Sequence, residues 1–315
     1  MKVMQIGMNT SDLAGSLRLF SEVFGFVNAG GQGLWGPLIR IQSLDDSDRA
    51  IMWWLLGRQS DVQLELFHHT SPAQRPLRSD WRPNDHGWVR YGVAVSDFEA
   101  VLTALARNGM ATLAPPIARG GLRRVCFRDP YVGCIVEVME DGRSMPWTSD
   151  GDERLPAIVY ATISVADLKT ARAYYEGLLG MTIEPIERLH EPGDEACWGL
   201  AGAQRKGFLA GLGGVRLEIV EYHTPAGRPK PADYRNSDQG IVNVGLRADS
   251  CEDAIATFDR LAAEGIVPRH RGDGADTVSG YITDAGREVE IVALPDSVAE
   301  VIGFKAVTPF LPAIM

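Results

Sequence analysis

Asp12–Phe26 reads DLAGSLRLFSEVFGF, and Asp167–Met181 reads DLKTARAYYEGLLGM. Both stretches open on Asp-Leu and close on glycine followed by an apolar residue, and they lie 155 residues apart. Leu13, Leu17, Phe20 and Phe24 share one helical face, behind an aspartate placed to accept the orphan N–H groups of a first turn. A second pair follows. QLELFHHTSP (Gln63–Pro72) is matched by RLEIVEYHTP (Arg216–Pro225), each with a glutamate third in a run that otherwise reads as a buried strand. Glu65 and Glu218 are 153 residues apart, and so are Glu137 and Glu290. The chain is therefore an internal duplication. Its expected parts are an N-terminal domain over 1–145, a linker over 146–155 rich in turn formers, a C-terminal domain over 156–297 and an apolar tail over 298–315.

Each half is itself double. Alternating segments precede four helix starts, at Asp12, Asp97, Asp167 and Asp249, and Gly25, Gly109, Gly180 and Gly265 stand where the helices end. Several short strands follow each helix. The expected fold class is α+β, with four βαβββ modules pairing, two per half, into two open β-barrel domains.

Bulk properties narrow the function. The 315 residues are 45% apolar and carry a net charge of −10, the balance of a globular chain able to bury a sizeable core. An acidic chain without a basic stripe is a poor match for the phosphate backbone, so no nucleic-acid partner is expected. No apolar run has the length of a membrane span, so no membrane partner is expected, and the N-terminus turns polar too early for a signal peptide. A cytoplasmic location follows as an expectation. Cys126, Cys134, Cys197 and Cys251 form no C-x-x-C pair and read as reduced thiols.

The four βαβββ units, the Asp-Leu helix starts, the LELF and LEIVEY strands and the DPYVGCIVEV and DAGREVEIVAL ends together resemble the vicinal oxygen chelate superfamily. That group includes glyoxalase I, bleomycin resistance proteins and extradiol ring-cleaving dioxygenases. The resemblance covers about 1–295 and implies paired modules around a cleft that holds a metal and a substrate. It also implies four inward-facing ligand positions per module pair. These fall on Gln5, Glu65, Arg90 and Glu137 in the first half, and on Tyr160, Glu218, Asn243 and Glu290 in the second.

No histidine stands at any of these eight positions, which argues against the two-histidine, one-carboxylate iron site of ring cleavage. In the first half, Gln5, Glu65 and Glu137 resemble a glyoxalase ligand set, but Arg90 has no lone pair for a metal. Arg90 would instead clamp a substrate carboxylate, or pair with a glutamate merely to order the barrel. In the second half, Glu218, Asn243 and Glu290 form an all-oxygen set suited to a divalent metal such as Mg, Mn or Fe. Without any cofactor, a raised-pKa carboxyl beside Tyr160 would make an acid–base pair, and a third reading leaves the glutamates as inherited relics.

The sequence thus points to an enzyme of isomerase or lyase type. It would act on a small oxygenated, aromatic or carbonyl-bearing molecule through an enolate or oxyanion. Glu218 or Glu290 would be the base, Tyr160 the acid or oxyanion donor and Asn243 a positioning group. Trp198, Tyr222 and His223 are candidate substrate contacts beside Arg90. The alternatives are a ring-cleaving dioxygenase with unusual ligands, or a non-catalytic binding or resistance protein. His68, His69 and His86 read as rim or strand residues, and His190 and His270 as loop residues without a signal. A homodimer is compatible with the pattern, although four modules can satisfy barrel pairing within one chain.

Overall fold

The computed structural model describes residues 1–42, 44–142, 151–211, 213–284 and 286–307. The four modules are present with the expected element order. The first holds β1 (Lys2–Asn9), α1 (Leu13–Arg18), β2 (Val27–Trp35), β3 (Arg49–Leu56) and β4 (Gln63–Ser71). The second holds β5 (Gly87–Val95), α2 (Phe98–Arg107), β6 (Ile117–Arg119), β7 (Leu122–Arg128) and β8 (Ile135–Glu140). The third holds β9 (Ala157–Ser164), α3 (Leu168–Arg172), β10 (Ile183–Pro185), β11 (Gln204–Ala210) and β12 (Arg216–Thr224). The fourth holds β13 (Gly240–Arg247), α4 (Cys251–Ala263), β14 (His270–Asp273), β15 (Val278–Ile282) and β16 (Val289–Ala293). A short helix α5 (Asp296–Val301) follows.

Helix starts form as the spacing requires. The Asp12 carboxylate accepts from the Gly15 N–H at 2.9 Å, Asp97 from Ala100 at 2.9 Å and Asp167 from Thr170 at 3.0 Å. The fourth cap is Ser250 rather than Asp249, because the Ser250 hydroxyl is the group that reaches the Asp253 N–H, at 3.1 Å. Beyond α1 and α3 the chain widens into π-type turns over Leu19–Phe24 and Ala173–Leu178.

The modules do not pair within each half. One eight-stranded sheet runs β14-β15-β16-β13-β1-β4-β3-β2, joining the fourth module to the first through antiparallel β1 and β13. The other runs β10-β11-β12-β9-β5-β8-β7-β6, joining the third module to the second through antiparallel β5 and β9. We term these the terminal and the central barrel. The expected assignment of one barrel to 1–145 and one to 156–297 is corrected accordingly. Each module's first strand presents the same free edge, so the repeat identifies copies without fixing which copies pair.

Two crossover segments make the exchange possible, and they are copies of one another. SPAQRPLRSDWRPNDHG at 71–87 and TPAGRPKPADYRNSDQG at 224–240 share Pro, Arg and Asp at a spacing of 153. Arg75 bonds Asp233 and Asp238, each at 2.6 Å, while its counterpart Arg228 bonds Asp80 at 2.6 Å and Asp85 at 2.7 Å. The result is a reciprocal clasp between the halves. The main apolar core lies between the two sheets and their helices, with Ile6, Phe20, Phe24, Val93, Phe127, Ile158, Phe258 and Leu261 in one cluster. Smaller clusters lie inside the barrels. Cys126, Cys134, Cys197 and Cys251 are free thiols. Residues 146–150 of the linker, and the tail beyond 307, lie outside the described residues. The tail up to 307 packs on the first module, with the Val307 N–H bonded to the Asn28 carbonyl at 3.0 Å. No described helix is long and apolar enough to cross a membrane.

Candidate functional site

The pairing regroups the eight ligand-type positions. Gln5, Glu65, Asn243 and Glu290 belong to the terminal barrel, and Arg90, Glu137, Tyr160 and Glu218 to the central one. The register explains the symmetry. Glu65 is partnered by Gly7, Glu137 by Gly92, Glu218 by Thr162 and Glu290 by Gly245. Each glutamate thus sits on the strand beside a module's first strand, two residues past the position that carries the other ligand-type side chain.

Neither expected metal set converges. Glu218 is in a different barrel from Asn243 and Glu290, and Glu137 is in a different barrel from Gln5 and Glu65. The proposed catalytic set of Glu218, Tyr160, Asn243 and Glu290 is split in the same way. What the fold brings together is one set of four in each barrel.

The central barrel is filled by its own side chains. Arg90 is fully buried, donates to Glu218 at 2.6 Å and to the Tyr160 hydroxyl at 3.0 Å, and stacks on the Trp198 ring at 3.6 Å. Tyr160 donates to Glu137, and Thr162 to Glu218 at 2.6 Å. His190 stands between the two glutamates, Nδ1 2.7 Å from Glu218 and Nε2 2.8 Å from Glu137. Burial alone would raise both carboxyls. Arg124 and His190 outweigh it for Glu137 and hold it at about 2, while His190 and Arg90 hold Glu218 well below the usual carboxylate range. The His190 ring thus bridges the two glutamates through its two nitrogens. Burial and the Glu137 charge push the Tyr160 phenol up, which keeps it a donor.

Of the expected substrate contacts, Arg90 is therefore committed to Glu218. Trp198 and Tyr222 are buried and bonded to each other at 3.1 Å, and His223 sits at the strand end beside Glu221 at 3.5 Å. His190 is the residue that sequence reasoning missed. It lies in a polar segment with the look of a surface loop, and the 3₁₀ turns over Ile186–Arg188 and Asp194–Trp198 fold that segment into the barrel.

The terminal barrel holds a cavity of about 470 Å³. Gln5, Glu65 and Glu290 line it, together with Met52, Trp54 and Phe67. The Trp54 indole donates to Glu65 at 2.9 Å, and the Gln5 amide donates to the other Glu65 oxygen. Asn243 is fully buried, and both of its amide atoms lack a hydrogen-bond partner. Burial pushes the Glu290 carboxyl up to about 7. Burial, and then the Glu290 charge, push Glu65 well above its ordinary value. Among the described residues, no three His, Cys, Asp or Glu side chains gather as a metal cluster. Gln5, Glu65 and Glu290 on the cavity wall nonetheless offer oxygens of the kind a hard divalent cation takes, and the Asn243 amide, buried beside Gly7 in the same barrel, is without a partner. The residues present fit such an ion.

A family model, Glyoxalase/Bleomycin resistance protein/Dioxygenase superfamily, matches residues 157–291. Residues 157–291 thus carry a domain of that superfamily. The matched stretch is the third and fourth modules, contiguous in sequence but divided between the two barrels in space. Glyoxalase I from Zea mays has the same overall fold, with a TM-score of 0.60, 14% identity and 95% of each chain covered. A Bacillus subtilis protein assigned provisionally as a dioxygenase matches with a TM-score of 0.60 and 13% identity, over 98% of this chain and 91% of its own. At these identities the likeness concerns the fold. No curated protein sequence matches the chain.

Proposed function

We propose that the protein is an enzyme that moves a proton on a small oxygenated molecule bound in the terminal barrel, an isomerase or lyase in reaction type. One observation carries this reading: Glu65 and Glu290 face a single apolar cavity, while the equivalent Glu137 and Glu218 are engaged by Arg90, Arg124 and His190. Glu290 is the base. Burial at the wall of an apolar cavity places its carboxyl near neutrality, where a general base is most effective. Glu65, held by Gln5 and Trp54, keeps its proton more tightly and donates a hydrogen bond to the oxygen on which charge develops. Asn243 positions that oxygen or a ligand to it. A hard divalent cation, Mg or Mn, held by Gln5, Glu65, Asn243 and Glu290 would supply Lewis acidity at the same place. The apolar wall formed by Met52, Phe67 and Val292 excludes water from the developing anion.

The test is deuterium wash-in from D2O at the carbon beside the carbonyl in a panel of α-hydroxyketones, followed by NMR. Exchange catalysed by the wild type and lost in Glu290→Gln supports the assignment. Binding without exchange in both proteins would make the barrel a binding site only.

A further inference from the structure

A second pocket lies where the two crossover segments meet, and it shares no lining residue with the terminal cavity. Its walls include repeat counterparts at the 153-residue spacing: Pro76 and Pro229, Trp81 and Tyr234, Asp85 and Asp238. The two copies differ at one decisive place, because Lys230 stands where the first copy has Leu77. The Lys230 ammonium is 2.9 Å from Glu288 and lies over the Tyr234 ring at 4.2 Å, on a side chain that is 20% exposed. An ammonium carries three N–H donors, and Glu288 is its one carboxylate partner among the described residues.

The surroundings lean positive, although the chain as a whole carries a net charge of −10. Arg78, a second cation on the wall, shares the Asp80 carboxylate with Arg228. Asp85 and Asp238 are also on the wall, yet each already meets two guanidinium groups, Arg82 and Arg228 for the first and Arg75 and Arg235 for the second. Arg128 lies over the Trp81 ring at 5.1 Å and has no carboxylate partner among the described residues. The acids of the pocket are thus committed, while its cations keep donors to spare, which favours an incoming anion. The cavity is about 80 Å³, far below the usual range for a drug-sized ligand, so its occupant is small. Trp81, Trp88 and Tyr234 offer that occupant aromatic walls.

We propose that the pocket at the clasp binds a small aromatic monocarboxylate, its carboxylate met by Lys230 and Arg78 and its ring by the aromatic walls. This is a binding site apart from the terminal cavity, and it stands whether or not that cavity turns over a substrate.

Benzoate and benzamide have nearly the same shape and differ by one negative charge. Calorimetric titration of the metal-free full chain near neutral pH should show benzoate binding at least about tenfold tighter than benzamide. Lys230→Met combined with Glu288→Gln removes the ammonium without leaving a buried carboxylate alone, and should abolish that preference. Arg78→Ala, at a side chain 38% exposed, should weaken benzoate several-fold and leave benzamide unchanged. The proposal is overturned if benzoate does not bind, if benzamide binds as tightly, or if the preference survives undiminished in either folded variant.

Discussion

The two barrels start from the same plan and end in opposite electrostatic states. Each places two glutamates at equivalent strand positions around a common interior. In the central barrel the connection from β10 to β11 folds inward and delivers His190 and Trp198. In the terminal barrel the corresponding connection, from β2 to β3, delivers Leu38 and Gln42 to the cavity wall and leaves the space open. The strands set where the carboxylates stand. The connection decides whether those carboxylates face side chains packed into the barrel or the wall of an apolar cavity.

The largest expected contrast lies in activity. Glu290→Gln should lower deuterium exchange by about 10²–10⁴-fold, the usual worth of a general base. The folded fraction of Glu218→Gln should keep near-wild-type exchange, measured per molecule that elutes as native. Equal losses in both would break the division of labour.

Stability should show the reverse. Arg90→Met and His190→Ala each remove one polar partner from carboxylates that stay buried, and each should cost about 3–5 kcal/mol in urea unfolding. Glu290→Gln should cost nothing, or stabilise the metal-free protein, because it removes a buried carboxylate that burial already disfavours.

pH should move the barrels in opposite directions. Glu137 titrates at about 2 in the fold, below its ordinary 4.5, so its contribution is present above that ordinary value and is lost as pH falls toward 2. Glu290 titrates at about 7, above its ordinary 4.5, so its contribution is complete below 4.5 and is lost as pH rises through 7. For the metal-free protein, roughly 3 kcal/mol at most should disappear between those limits on the Glu290 side. Glu290→Gln should flatten that decline in a pH series of urea midpoints. An unchanged slope would mean that Glu290 is ionised without cost.

The smallest effect concerns Asn243. Neither of its amide atoms is hydrogen-bonded, so Asn243→Ala should change stability by less than about 1 kcal/mol while weakening divalent-cation binding. A large stability loss would reveal a structural role instead.

The parts of both barrels were legible in the sequence, and the contrast between them was hidden for definable reasons. The four modules, the caps at Asp12, Asp97 and Asp167 and the positions of all four glutamates follow from local spacing, because caps and strand alternation are local physics. The cap at Ser250 was missed by one residue, since Asp249 and Ser250 are chemically equivalent candidates. Which modules pair was not legible. β1, β5, β9 and β13 present interchangeable edges, and the observed pairing goes with the clasp between 71–87 and 224–240, a pattern of long-range ion pairs. His190 was hidden for a similar reason. A histidine in a polar, proline- and glycine-containing loop has the signature of a solvated residue, and only tertiary packing sets it between Glu137 and Glu218.

The central claim is that the terminal barrel, and not the central one, is the open site. Equilibrium Mn(II) binding by the metal-free chain, followed by the loss of the free-ion electron paramagnetic resonance signal, tests it most directly. The account predicts one ion per chain, lost in Glu290→Gln and retained in folded Glu218→Gln. Absence of binding to the wild type, or binding that disappears with Glu218 and survives without Glu290, would contradict it.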